Sequence, residues 1–178
     1  MSILITILSI IGGLIALILI VAAFTRRDYS VQRSIVIDKP RGEVFQYICH
    51  LKNQDHYSKW VMVDPHLKKS YRGTDGTVGF VYAWDGNQQA GKGEQEIKNI
   101  VDGERIDLEI RFERPFAGIA STPLTTEAVT PGQTRVNWAM SSAMKYPMNA
   151  MLLFMNMDNL LGKDLETSLS NLKANLER

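Results

Sequence analysis

The chain reads as an α+β protein. One apolar N-terminal helix precedes a curved antiparallel sheet of about seven strands, and a long C-terminal helix covers that sheet. Three observations predict this. Ile3 to Phe24 is a run of 22 residues without a charge. From His66 onward, turn signals separate segments that alternate apolar and polar residues, the pattern of a sheet with one buried face. The chain then ends in leucines at helical spacing.

As a helix, the apolar run would be roughly 33 Å long, the thickness of a bilayer's hydrocarbon core. Only Thr6, Ser9, Gly12 and Gly13 interrupt its aliphatic residues. A cleavable signal would need a basic start, a shorter core and a small-x-small site, and Val21-Ala22-Ala23-Phe24-Thr25 makes a poor one. A core helix of a globular protein would be shorter or interrupted. We therefore expect residues 1–28 to be an uncleaved single-pass anchor with a basic flank, and residues 29–178 to be one domain. Arg26, Arg27, Arg33, Lys39 and Arg41 follow the span and no Lys or Arg precedes it, which predicts a cytoplasmic C-terminal domain at the cell membrane. A lone cysteine, Cys49, suits a reducing compartment.

The elements follow in order. Ser30 to Asp38 alternates and stops at Lys39-Pro40. Arg41 to Leu51 places Val44, Phe45 and Ile48 on one helical face, and Asn53 to Ser58 reads as a second short helix. Leu67 to Arg72 and Thr77 to Trp84 flank a turn at Gly73-Thr74-Asp75-Gly76. Lys92 to Val101 and Arg105 to Glu113 flank Asp102-Gly103, another hairpin signal. Ile119 to Val129 and Thr134 to Ala143 flank Pro131-Gly132. A single helix is expected from about Pro147 to Leu176, with Phe154, Leu161, Leu165, Leu169, Leu172 and Leu176 as its apolar stripe.

This order matches the helix-grip fold. Three stretches carry a closer resemblance: Gly73-Thr-Asp-Gly-Thr-Val-Gly-Phe-Val-Tyr-Ala-Trp84, Gly91-Lys-Gly-Glu-Gln-Glu-Ile-Lys98 and Met155-Asn-Met-Asp-Asn-Leu-Leu-Gly-Lys-Asp164. Together they resemble the polyketide cyclase/dehydratase-like branch of the START-related SRPBCC superfamily, over roughly Tyr29 to Glu177. The resemblance implies a cavity between sheet and helix in which members hold lipids, hormones or polyketides. A few members are enzymes, so the family alone does not set an activity.

Asp158 falls within the apolar stripe with Gly162 one turn later, and a buried carboxylate is costly unless paired. It reads either as a ligand anchor or acid/base group in an apolar cavity, or as a structural group satisfying a buried partner. Phe80, Tyr82 and Trp84 share one strand face and would wall a cavity, although Gly79, Val81 and Ala83 on the other face are apolar too. Gln95 would add a polar group, and Phe112 and Trp138 more wall. Six of the eight methionines lie between Met140 and Met157. Met151 and Met155, with Phe154, would line an adaptable cavity or its mouth, or rest on lipid. Glu94 and Glu96 share an outer strand face and read as solvated.

Other chemistry lacks a motif. His50, His56 and His66 have no metal-ligand spacing, and Cys49 beside His50 is no catalytic pair. Neither a nucleophile elbow nor a phosphate-binding loop occurs, so no cofactor is expected. A net charge of +1 argues against nucleic acid. Three functions stay open: a membrane-anchored binder of an apolar, lipid- or isoprenoid-like molecule, a cyclase/dehydratase-type enzyme, or a protein-interaction module.

Overall fold

The computed structural model describes residues 2–178. The helix α1 (Ser2–Phe24) leads into β1 (Asp28–Ile37), α2 (Arg41–Cys49), a 3₁₀ helix (Leu51–His56) and the short α3 (Lys59–Met62). Seven strands follow: β2 (Lys68–Arg72), β3 (Val81–Asp85), β4 (Lys92–Val101), β5 (Arg105–Arg114), β6 (Gly118–Ser121), β7 (Leu124–Thr130) and β8 (Gln133–Ala143). A second 3₁₀ helix (Met148–Leu153) precedes α4 (Met157–Leu176). All pairings are antiparallel, in the order β1-β8-β6-β5-β4-β3-β2, with β7 between β5 and β8. This is the expected helix-grip architecture.

The core lies between the sheet's inner face and the helices. From α4 come Leu165, Leu169, Leu172 and Leu176, all buried, and from α2 come Val44, Phe45 and Ile48. Each such side chain, fully removed from water, contributes about 1.5–3 kcal/mol. They meet inward residues of the alternating strands, including Ile106 and Leu108 of β5 and Val136 and Trp138 of β8. On the outer face, Arg111 donates to Glu94 (2.9 Å), Glu96 (2.7 Å) and Glu109. Glu94 and Glu96 do point outward, but they form an ion-pair cluster rather than standing free. Arg111 holds both carboxyls below their ordinary range.

Four expectations need correction. The strand expected over Ile119 to Val129 is two strands, because Pro123 has no N–H to give the ladder. Thr122 and Pro123 instead take part through Thr122 N–H to Leu108 O and Ala139 N–H to Pro123 O. The turn between β2 and β3 is a longer connection, since Arg72 pairs with Val81. Gly73, Gly76 and Gly79 there have φ of 85°, 80° and 86°, a conformation open to glycine. Asp75 in this loop accepts the Leu51 N–H at 2.8 Å and so docks the loop on the first 3₁₀ helix. Asn53 to Ser58 is not one helix: the 3₁₀ helix ends at His56 and α3 starts at Lys59. Nor is the C-terminal helix continuous from Pro147. It begins after Asn156, whose side chain accepts the Asn159 N–H at 3.0 Å, an N-cap.

α1 is long and apolar enough to cross a membrane, and none of its most apolar stretch is buried in the protein. Its last turns meet the rest of the chain. Ala22 is buried, and Asn149 donates to Ala22 O at 2.7 Å and to Thr25 O at 3.0 Å.

Candidate ligand-binding cavity

A cavity of about 210 Å³ opens between the sheet and the helices. The sheet provides Tyr82 and Trp84 from β3, Gln95 from β4, Ile110 and Phe112 from β5, and Trp138 and Met140 from β8. Gln54 of the first 3₁₀ helix, Ser58 just before α3, and Trp60 and Val61 of α3 close it, and Leu161 closes it from α4. Gln89, Ala90, Arg114 and Pro115 form its outer rim.

The strand face left undecided by the alternation is now clear. Phe80, Tyr82 and Trp84 are the inward set, while Ala83 is opposite Glu94 on the outer side. Phe80 lies beneath the cavity rather than on its wall, stacked on Tyr71 with centroids 6.2 Å apart. Trp84 can lie across the sheet because its register partner is Gly93, where a Cβ would come within 2.9 Å of the indole. Its Nε1 donates to Ala90 O at 3.1 Å, fixing the ring at the rim. Trp138 packs edge-on against Trp60 and donates to Thr122 Oγ1 at 2.8 Å.

Polar groups on the wall are few and mostly satisfied. Gln95 Nε2 donates to Gln54 Oε1 at 2.8 Å, and both residues are buried. Gln54 Nε2 has no hydrogen-bond partner in the protein. An unpaired buried donor is costly, so an acceptor on a bound molecule would relieve it. Tyr82 donates to Asp55 at 2.8 Å, and Asp55 also meets Lys69 at 2.8 Å. Burial, and next the Asp55 carboxylate, push the Tyr82 phenol far above its ordinary range. It is therefore held neutral. Among the described residues, no cluster of three or more His, Cys, Asp or Glu side chains is placed to hold a metal ion.

Of the residues singled out from the sequence, Tyr82, Trp84, Gln95, Phe112 and Trp138 come together on this wall. Besides Phe80, four others do not. Asp158 sits at the exposed start of α4, where Arg33 of β1 grips both its oxygens at 2.9 Å. Arg33 holds its carboxyl below the ordinary range. Asp158 does lie on the sheet side of α4, as the stripe required, but α4's first turn faces Arg33 and not the cavity. Phe154 is 88% exposed and outside the helix. With Met155 and Asp158 it borders a separate open groove of about 370 Å³ beside Arg26 and Tyr29. Met151 lies in the second 3₁₀ helix, away from both hollows.

Sequence reasoning missed Gln54, Trp60, Met140 and Leu161. Leu161 belongs to the apolar stripe of the C-terminal helix, and Met140 alternates in phase with Val136 and Trp138, so their phase is visible in the sequence. Gln54 and Trp60 lie in short helical turns with no period to phase them.

A family profile described as polyketide cyclase/dehydrase and lipid transport matches residues 28–177. A comparison with curated proteins gave no match. Solved structures are similar in fold. A Chromobacterium violaceum protein superposes with a TM-score of 0.60 at 15% identity, covering 84% of this chain and 97% of that one. A Nitrosospira multiformis protein gives 0.58 at 20% identity, covering 83% and 96%. Norcoclaurine synthase from Thalictrum flavum, in complex with dopamine and hydroxybenzaldehyde, gives 0.61 at 7% identity, covering 85% and 89%.

Proposed function

Since the chain belongs to the polyketide cyclase/dehydrase and lipid-transport family, we propose that it is a membrane-anchored module binding an apolar small molecule. α1 is the uncleaved anchor, residues 29–178 are the binding domain, and that domain faces the cytoplasm, as the arginines after the span favour. The observation that carries the reading is the cavity itself. Its walls are aromatic and aliphatic, with one unpaired buried donor, Gln54 Nε2. Ligand sites are largely apolar with a few placed polar groups.

Size narrows the ligand. An apolar cavity of about 150 Å³ holds a benzene ring, so about 210 Å³ takes a little more than one ring. That suits one isoprenoid or acyl segment carrying an oxygen acceptor, and excludes a whole two-chain phospholipid. General acid–base catalysis needs a group within reach of the proton it moves. On the cavity wall, the Tyr82 hydroxyl is already engaged with Asp55, and Asp158 lies outside. Binding is therefore favoured over turnover.

The test is organic extraction and native mass spectrometry of the full chain purified in mild detergent. An apolar molecule near one per chain is expected. Ile110→Trp, which fills the cavity, should abolish its retention while the fold persists. Gln54→Leu should weaken retention roughly tenfold, in line with about 1–3 kcal/mol for a lost buried hydrogen bond. If nothing co-purifies, and farnesol or palmitate bind the parent and Ile110→Trp equally, the proposal is wrong.

A further inference from the structure

The chain between β8 and α4 is unusually apolar for a connection. Met148, Met151, Leu152, Leu153, Phe154 and Met155 crowd into it, and little of this is core. Leu153 is 54% exposed and Phe154 is 88% exposed, beside Phe24 at 89%. Single exposed apolar residues need no explanation, but a contiguous set does.

Its position supplies the explanation. Asn149 caps the C-terminal end of α1 through the carbonyls of Ala22 and Thr25. Tyr146 reaches further, its hydroxyl donating to Leu19 O at 3.4 Å. Leu19 lies five residues before Phe24, about 7.5 Å down the helix axis. The connection therefore flanks the last turns of the apolar helix rather than sitting beyond its end. An anchor that spans the bilayer must carry this segment into the interface with it. Arg26, Arg27 and Lys145, all exposed, lie at the level expected of headgroups, and tyrosine is enriched at that depth.

The register adds a second observation. Asp28 pairs with Ala143, Ser142 with Ala120, Phe112 with Gly118, Arg114 with Lys92, and Lys92 with Asp85. These residues mark one end of the sheet, the end where α1 joins. Arg114, Pro115 and Ala90 at that end form the cavity's rim, and Phe116 and Ile119 are exposed near it.

We infer that Tyr146 to Phe154 is a second membrane contact, a wedge in the lipid interface that holds the cavity-bearing end of the sheet against the bilayer. The partner is a lipid surface, continuous with the anchor. The cavity then takes its ligand from the membrane rather than from water. This inference rests on the anchor reading.

The test uses the full chain in phosphatidylcholine/phosphatidylglycerol vesicles. Spin labels go on single cysteines at Ile11, Leu153, Phe154 and Val129. The parent, with only buried Cys49, is the labelling blank. Val129 is exposed at the far end of the sheet, beside the β7–β8 turn. Collision with oxygen relative to a water-soluble nickel complex should be several-fold higher at Leu153 and Phe154 than at Val129, and highest at Ile11. All four sites are exposed, so labelling should leave the fold intact. Leu153 and Phe154 behaving like Val129, with Ile11 in lipid, would overturn the wedge and leave the anchor standing. Shielding from both reagents would mean a second copy covers the patch, which also overturns it. Ile11 in water would remove the anchor reading and the wedge together.

Discussion

Tyr57 is fully buried, with its ring 6.2 Å from Tyr47 and 6.0 Å from Trp138, and its hydroxyl has no partner. Burial pushes its phenol far above the ordinary value. The unfolded chain would ionise near pH 10, while the folded chain stays protonated. Above that pH the folded state binds more protons at Tyr57, so this residue's contribution to stability is constant below about pH 10 and falls above it. Tyr57→Phe removes an unsatisfied hydroxyl and should stabilise by about 1 kcal/mol at neutral pH. It should also lessen the alkaline loss, without abolishing it, because Tyr82 titrates in the same direction. Urea midpoints between pH 8 and pH 11 check both points, and a destabilised Tyr57→Phe would reveal a hidden partner for the hydroxyl. At this scale the sequence was legible where a strand phased the residue. Gln95, Phe112 and Trp138 reached the cavity because alternation points them there, whereas the Tyr82 and Trp84 strand is apolar on both faces and its phase came from the structure. Asp158, open in the sequence between a ligand anchor and a paired structural carboxylate, lies outside the cavity on Arg33, because a helical wheel says which side a residue takes, not what lies opposite.

What lies opposite α4 at that point is Arg33, and Gly162 makes room for it. A Cβ at Gly162 would come within 2.1 Å of the Arg33 guanidinium, which passes over the helix to reach Asp158 and Glu166. Glycine inside a helix costs about 1 kcal/mol relative to alanine, and here the missing Cβ is what permits the arginine's close approach. Gly162→Ala in the parent should therefore gain little or lose stability, because the arginine must move. In an Arg33→Ala background the same substitution should stabilise by about 1 kcal/mol. A double-mutant cycle by chemical denaturation reads the coupling, and equal effects in both backgrounds would disprove the contact. The long strands and the C-terminal helix were legible, since alternation and leucine spacing report which surface is buried, whereas α3 and the second 3₁₀ helix are too short to show a period. Element ends were less so. Pro123 splits a strand whose alternation runs straight through it, and the apolar residues from Met148 to Phe154 imitate a helix extension. Asn156, with a capping side chain, was the signal that the helix starts later.

For the molecule as a whole, the domain's core owes almost nothing to α1. Ala22 is α1's sole buried residue among those described, and the sheet and α4 close the core without it. Deleting residues 1–26 should leave a folded protein with a melting temperature within a few degrees of the parent. The deletion removes the two carbonyls that Asn149 satisfies, but it also opens that site to water, which replaces them at little cost. The cavity lies at the sheet's centre and rim, and none of its lining comes from α1. Binding of an added isoprenoid or fatty acid should therefore persist in the truncated form. Membrane contact should not vanish entirely either. Leu153 and Phe154 remain exposed, and an interfacial apolar patch binds weakly and reversibly where a span binds irreversibly. We expect the truncated chain to be soluble alone, to associate weakly with vesicles, and to lose that association in Leu153→Glu/Phe154→Glu. Circular dichroism melts and vesicle sedimentation measure these outcomes. A molten or insoluble product would show that α1 is part of the fold. A folded product indifferent to both vesicles and the double substitution would leave α1 as the proposed membrane contact and remove the second one.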